Sequence, residues 1–265
     1  MIDHMPRAPK RLSERKPVQL PCPAGAHVKV TLVDHTKNPD RICAAAAQSC
    51  YSEEGATELF ETTSEDRAKR MIEKVVGMGH LSVVEHAHFT FSIEGVSRSL
   101  THQLVRHRIA SYSQQSQRYV SMDKAEYVTP PTISADPDAK RLYDKAMDDA
   151  WTAYRELAQK MPKEDARYVL PNACHTNITV TMNARELWHL FGLRCCRRAQ
   201  WEIRQMAWKM LAEARKVAPI LFANAGPGCF RGPCPEGEYS CGKPYAGNRL
   251  PSDEELMVDI SRAGD

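Results

Sequence analysis

Three segments of the chain alternate apolar and polar residues with a period of two. HVKVTLVDHT sets Val28, Val30 and Leu32 on one side, HAHFTFSIEG does the same with Phe89, Phe91 and Ile93, and NITVTMN with Ile178, Val180 and Met182. Each pattern predicts a strand with one buried face. Other segments repeat at helical spacing. TSEDRAKRMIEKVVGMG gathers Ala68, Met71, Ile72, Val75 and Val76 on one stripe, with Ser64 and acids at its start and Gly77 or Gly79 at its end. VSRSLTHQLVRHR predicts a helix facing inward through Val96, Leu100 and Leu104, with Gln103, Arg106 and His107 within a turn of one another, followed by a polar loop, SYSQQSQRYV. DPDAKRLYDKAMDDAWTAYRELAQKM predicts a long helix buried through Leu142, Ala146, Ala150, Tyr154 and Leu157 and stopped near Pro162. KEDARYVL reads as a short helix ending at Pro171, and ARELWHLFGL and AQWEIRQMAWKMLAEARKV as two more. Strands separated by helices predict an α+β domain, and no internal repeat is visible.

Composition narrows the function classes. The formal charge of +3 is too small to imply nucleic acid, so any functional positive charge is local. No run approaches the roughly 18 apolar residues of a membrane helix. The basic N-terminus lacks the apolar core of a secretory signal, so the expected location is cytoplasmic. Nine cysteines, an odd number, argue for reduced thiols or metal ligands rather than a disulfide framework. The expected division is a lead-in over 1–26, one main domain over 27–224, and a tail over 225–265 rich in Cys, Gly and Pro.

Local chemistry concentrates in RHRIASYSQQSQRYV, residues 106–120. No acid occurs between Gly95 and Met122, so Arg98, Arg106, Arg108 and Arg118 have no carboxylate close in sequence. Guanidinium groups interleaved with Ser111, Ser113, Gln114, Gln115 and Ser116 suit an anion, most simply a phosphate. A second basic cluster holds Arg167, Arg185, Arg194, Arg197 and Arg198; the last two read as charge at a helix end or on a solvated face. GHLSVVEH, residues 79–86, joins a helix to a strand and carries His80, Ser82, Glu85 and His86 without the spacing of a zinc site. In the tail, Cys229, Cys234 and Cys241 could bind zinc or an iron–sulfur cluster, with Cys22 or a histidine as fourth ligand, or could be incidental thiols. Cys195 and Cys196 read as packed thiols. A nucleic-acid or nucleotide-binding module would explain the arginines but not GHLSVVEH, and a metal-organised structural protein would explain neither cluster.

Taken together, GHLSVVEH, RHRIASYSQQS, RYVLP and NARELWHLFGLR resemble, in this order and spacing, the flavin-dependent thymidylate synthases. The family's pattern of Arg-His-Arg, seven residues and Ser matches Arg106-His107-Arg108 through Ser116. The resemblance covers about 27–224. It implies an α+β fold of mixed helices around a mainly antiparallel, twisted sheet, assembled as a homotetramer with active sites shared between subunits. It further implies FAD as cofactor and conversion of dUMP to dTMP, with methylenetetrahydrofolate and NADPH as co-substrates and no protein cysteine as nucleophile; no nucleic-acid or membrane partner is expected, and no metal ligand is assigned among the site residues.

Carried over by position, Gln103, Arg106, Gln114, Gln115, Ser116, Arg118, Arg167 and Arg194 are the expected dUMP residues. Arg118 and Arg167 would hold the phosphate, and Arg194 would stabilise charge on the uracil as the catalytic residue. Ser116 is expected to position substrate and not to act as a nucleophile, since no base is fixed beside it. The expected FAD residues are His80, Ser82 and Glu85, then Arg106, His107, Arg108, Ile109 and Ser113, then Asn183, Arg185 and His189. Ser113 and His189 replace Asn of some family members and keep the capacity to hydrogen-bond. No G-x-G-x-x-G follows a strand, so an ordinary dinucleotide fold is not expected.

Overall fold

The computed structural model describes residues 18–19, 28–245, 247–256 and 258–259. The expected lead-in lies almost wholly outside the described residues, and Cys22 with it. Four strands, β1 (Lys29–His35), β2 (His88–Ser97), β3 (Ala110–Gln114) and β4 (His175–Asn183), form an antiparallel sheet in the order β1-β2-β4-β3. Val18–Gln19 pairs separately with Val258–Asp259. All three predicted strands are present. The fourth, β3, lies where the sequence predicts loop: among Ser111, Tyr112, Ser113 and Gln114 only Tyr112 is apolar, so the period of two is invisible until β4 supplies the ladder.

The sheet has one apolar face. Phe89, Phe91, Ile93, Ile178, Val180 and Met182 are buried on it, each contributing about 1.5–3 kcal/mol from burial. The other face carries hydroxyls, with Thr90 and Thr181 2.9 Å apart across β2 and β4.

Helices α1 (Pro39–Ser49), α2 (Ala56–Thr62) and α3 (Glu65–Gly77) separate β1 from β2. The first two are not anticipated by the pattern, because the alanines at 44–47 and the short polar α2 give little amphipathic contrast. α3 follows the sequence closely. Ser64 accepts from the Arg67 N–H at its start. At its end Gly79, with φ 78°, lets the His80 and Gly79 N–H groups bond back to the Val75 and Val76 carbonyls. That turn delivers GHLSVVEH to the sheet edge.

β2 shifts register between Ile93 and Val96, where Gly95, with φ 70°, donates its N–H to Asn177 Oδ1 at 3.1 Å. The shift carries β2 on to Ser97, so α4 spans Arg98–Leu104 instead of starting at Val96. Arg106, His107 and Arg108 therefore lie beyond the helix, in a turn closed by the Tyr112 hydroxyl, which donates to the Leu104 and His107 carbonyls at 2.9 and 2.7 Å.

The long helix α5 (Pro137–Ala158) buries Met147, Trp151 and Tyr154; of the predicted stripe Tyr154 is buried, whereas Leu142 and Leu157 are exposed. The aromatic groups decide the face. Trp151 Nε1 donates to the Met122 and Lys124 carbonyls, and the Tyr154 hydroxyl accepts from the Met122 N–H. These residues form a small second core with Ala166 and Cys174. α6 (Ala184–Arg194) and α7 (Trp201–Val217) pack with α4 into the main core on the sheet's apolar face. The tail returns to that core, where Phe230 and Tyr245 pack on Trp208 with ring centroids 5.7 and 5.2 Å away.

Candidate active site

β4 runs into α6 through Asn183, whose side-chain oxygen caps the helix by accepting from the Glu186 N–H at 2.9 Å. Leu187, Leu190 and Phe191 turn inward, which leaves Arg185 and His189, four residues apart, on the outer face. Both line a cleft of about 670 Å³, together with Leu81, Ile109, Asn183 and Trp188. Glu85, another wall of this cleft, accepts from Arg185 Nη1 and so fastens the 79–86 turn to α6. His80 and Ser82 sit exposed around the short 3₁₀ turn Leu81–Val84, outside the cleft lining. Arg231 also lines the cleft, its guanidinium 5.2 Å from the Trp188 ring centroid. The sequence gives no sign of this contact, because the tail that carries Arg231 has no periodicity.

Arg194, at the end of α6, reaches the turn after α4. Its Nε donates to His107 Nε2 at 3.2 Å and its Nη2 to the Gln103 carbonyl at 3.3 Å. His107 is buried and lies against His189, with ring centroids 5.4 Å apart. Burial first, then the nearby Arg194 and His189, lower its pKa from 6.5 to about 4. The ring is thus neutral near pH 7. Because Nε2 accepts from Arg194, the proton sits on Nδ1, which faces Glu186 Oε1 at 3.4 Å without a directed hydrogen bond. Burial also raises the Glu186 carboxyl above its ordinary range. Arg106 and Arg108 are exposed, and among the described residues their guanidinium groups have no hydrogen-bond or ion-pair partner.

The remaining predicted residues gather elsewhere on this chain. Arg118 Nε donates to Glu164 Oε2 at 3.3 Å, and Arg167 Nε donates to the Glu164 carbonyl at 3.2 Å. Long-range folding thus supplies Arg118 with the carboxylate that is missing nearby in sequence. The Ser116 hydroxyl accepts from the Arg118 N–H at 3.2 Å and so shapes the turn. Gln114 donates to the Thr101 and Thr176 hydroxyls, both at 3.2 Å, while Ser113, the next residue along β3, is exposed opposite Thr179 on the other side of the sheet. Gln115 lines a different hollow, of about 370 Å³, and its carbonyl accepts from Arg98. One chain therefore assembles the expected flavin residues of α6 and the Arg194–His107 pair, but leaves Arg118 and Arg167 outside the lining of that cleft.

Comparison with known proteins covers both groups of residues. The family model described as thymidylate synthase complementing protein matches residues 31–220. A flavin-dependent thymidylate synthase of Geobacter sulfurreducens is 52% identical over 226 residues, covering 84% of this chain and 97% of the relative. That of Clostridium tetani is 50% identical over 233 residues, covering 82% and 94%. That of Pyrococcus abyssi is 49% identical over 221 residues, covering 80% and 91%. In structure the chain is similar to the UMP/dUMP methylase PolB of Streptomyces cacaoi bound with 5-Br dUMP, with a TM-score of 0.66 at 24% identity over 75% of this chain and 94% of the other. The last likeness speaks for the fold alone, whereas the sequence matches run through both the cleft on α6 and the arginines beyond β3: the chain belongs to the flavin-dependent thymidylate synthase family.

Proposed function

We propose that this protein methylates dUMP to dTMP, with FAD as cofactor, methylenetetrahydrofolate as carbon donor and NADPH as reductant. The observation that carries this reading is the position of Arg194, a half-buried guanidinium held by His107 and Gln103 beside a cleft suited to a flavin. The cleft fits such a group in size and chemistry. At about 670 Å³ it lies within the ordinary range of ligand sites, roughly 300–1,000 Å³. Leu81, Ile109 and Trp188 offer apolar contact for a fused ring, and Arg185, His189 and Asn183 offer polar groups for its heteroatoms and phosphates.

Bound there, reduced flavin supplies the hydride of the reaction. The chain's own part is orientation and electrostatics. Arg194 stabilises negative charge as it develops on the uracil ring. Neutral His107 takes only one of its donors, so the guanidinium keeps others for substrate. Arg118 and Arg167 receive the dUMP phosphate, with Gln103, Gln114, Gln115 and Ser116 around the nucleotide and Arg106 at the junction with the flavin. His80, Ser82, Glu85, Arg108 and Ser113 complete the flavin contacts. A cysteine nucleophile has no support nearby: Cys195, next to Arg194, is fully buried, and burial holds its thiol well above the ordinary range.

The proposed assembly is a homotetramer with shared sites. Two observations support it: Ser113 and Gln114 point to opposite sides of the sheet, and the apolar side chains of Ile109, Leu142 and Tyr168 are exposed. No helix among the described residues is long and apolar enough to cross a membrane. The cytoplasm, where these nucleotide and folate substrates are made, is the proposed location. The deciding experiment is anaerobic: FAD-loaded protein with NADPH, dUMP and methylenetetrahydrofolate, with flavin absorbance followed and products separated. Formation of dTMP that depends on all three is expected. Protein that holds FAD but forms no dTMP would overturn the assignment.

A further inference from the structure

Four cysteines from two segments of the chain come to one cavity in this fold. Cys196, just beyond the end of α6, and Cys229, Cys234 and Cys241 of the tail all line a cavity of about 230 Å³. All four are partly accessible, whereas Cys43, Cys174 and Cys195 are packed in the interior. Each of the four is a free thiol, so the cavity walls are not tied by a disulfide. We propose that Cys196, Cys229, Cys234 and Cys241 are the ligands of an iron–sulfur cluster that braces the tail against the end of α6. Cys196, rather than Cys22 or a histidine, is the fourth ligand.

A cluster and a single ion ask for different spacing of their thiolates. Four thiolates about 2.3 Å from one zinc lie only about 4 Å from one another. Among the described residues no group of three or more His, Cys, Asp or Glu stands close enough to hold a metal ion. Thiolates on the corner irons of a cluster are spread more widely, around a volume rather than a point. Four thiols on the walls of a cavity match that requirement. The surroundings match it too. Arg197 and Lys243 line the same cavity, and cations offset the negative charge of a thiolate-ligated cluster. The loop is closely drawn: a Cβ on Gly228 would stand 2.5 Å from Pro235.

The proposal is independent of the flavin cleft, and its test is analytical. The whole protein is purified without oxygen and assayed for iron, acid-labile sulfide, zinc and FAD, then reduced with dithionite and examined by electron paramagnetic resonance. Iron and sulfide in equal amount, about two or about four per chain, are expected with a cluster signal. Cys234→Ser and Cys196→Ser should lose most of the iron while keeping FAD, and Cys50→Ser, an exposed cysteine outside the cavity, should keep both. Zinc without sulfide, or protein with FAD but neither metal, would overturn the cluster. Retention of full iron by both cavity variants would overturn the ligand assignment.

Discussion

Arg194 and His107 share a hydrogen bond that runs one way, from guanidinium Nε to imidazole Nε2 at 3.2 Å. Two elements depend on it, because Arg194 ends α6 and His107 lies in the turn after α4. Replacing Arg194 by Ala removes the positive charge proposed to face the uracil, and leaves Arg185 and His189 in place for FAD. Arg194→Ala should lower kcat about 10²–10³-fold with FAD content unchanged, the usual loss for one preorganised charge donor. Anaerobic single-turnover assays on FAD-loaded protein check this, and near-normal turnover would remove Arg194 from the mechanism.

His107 also sets a pH dependence. Its pKa is about 4 in the folded chain against about 6.5 when unfolded. As pH falls, the unfolded chain binds the proton first, so this contribution to stability is fully present above about pH 6.5 and is lost as pH drops toward 4. It amounts to about 3 kcal/mol at most. Arg194 and His189 face the ring and act in the same direction, whereas the raised carboxyl of Glu186 gains its proton in the folded state and works against the loss. His107→Gln keeps an acceptor for Arg194 and has no proton to gain. Its Tm should therefore fall less than that of the parent between about pH 7 and about pH 4.5. Parallel Tm curves would show that His107 does not govern acid stability.

What the sequence reveals here follows from contrast. Phe89, Phe91 and Ile93 announce β2 because apolar and polar positions alternate, and Ala68, Ile72 and Val75 announce α3 for the same reason at a different period. β3 carries no such contrast, and the centre of α1 is a run of four alanines, Ala44 to Ala47, so neither is legible. In α5 Tyr154 is placed correctly, but Leu142 and Leu157 mislead because they outrank Met147 and Trp151 by hydropathy, although the indole has a backbone partner only on its own side. The candidate site divides in the same way. Asn183, Arg185 and His189 share one helix end, so their grouping is local. Glu164 beneath Arg118, Arg231 beside Trp188 and Cys196 beside the tail cysteines are brought in by packing between distant segments, which no spacing records.

Glu164 suggests a displaceable partner for the proposed phosphate group. Its pair with Arg118 is half exposed on both sides, so it contributes little to stability and yields readily to a doubly charged phosphate. Arg118→Ala should weaken dUMP binding about 10- to 100-fold, the equivalent of one charged hydrogen bond. Glu164→Gln should tighten it a few-fold by removing the competitor. Calorimetric titration of dUMP into FAD-loaded protein reads both. Unchanged affinity in Arg118→Ala would place the phosphate elsewhere.

Ser97 ties the scaffold under the site together. Its hydroxyl donates to Glu202 Oε2 at 2.6 Å and accepts from the Leu100 N–H at 3.0 Å, while its own N–H donates to Glu202 Oε1 at 2.7 Å. The first contact joins α7 to the end of β2; the second caps α4, which carries Gln103 and the Thr101 that holds Gln114. Glu202 is buried, and burial raises its carboxyl while the two Ser97 bonds oppose that rise. Ser97→Ala removes the cap and one of these two donors together. The expected cost is about 1.5–5 kcal/mol, with a cap contributing about 0.5–2 and a buried acceptor deprived of its donor about 1–3. Urea unfolding with an unchanged slope should show it, accompanied by a weaker grip on dUMP as α4 frays. A loss below about 0.5 kcal/mol would mean that other groups satisfy Glu202 and the start of α4 when the hydroxyl is gone.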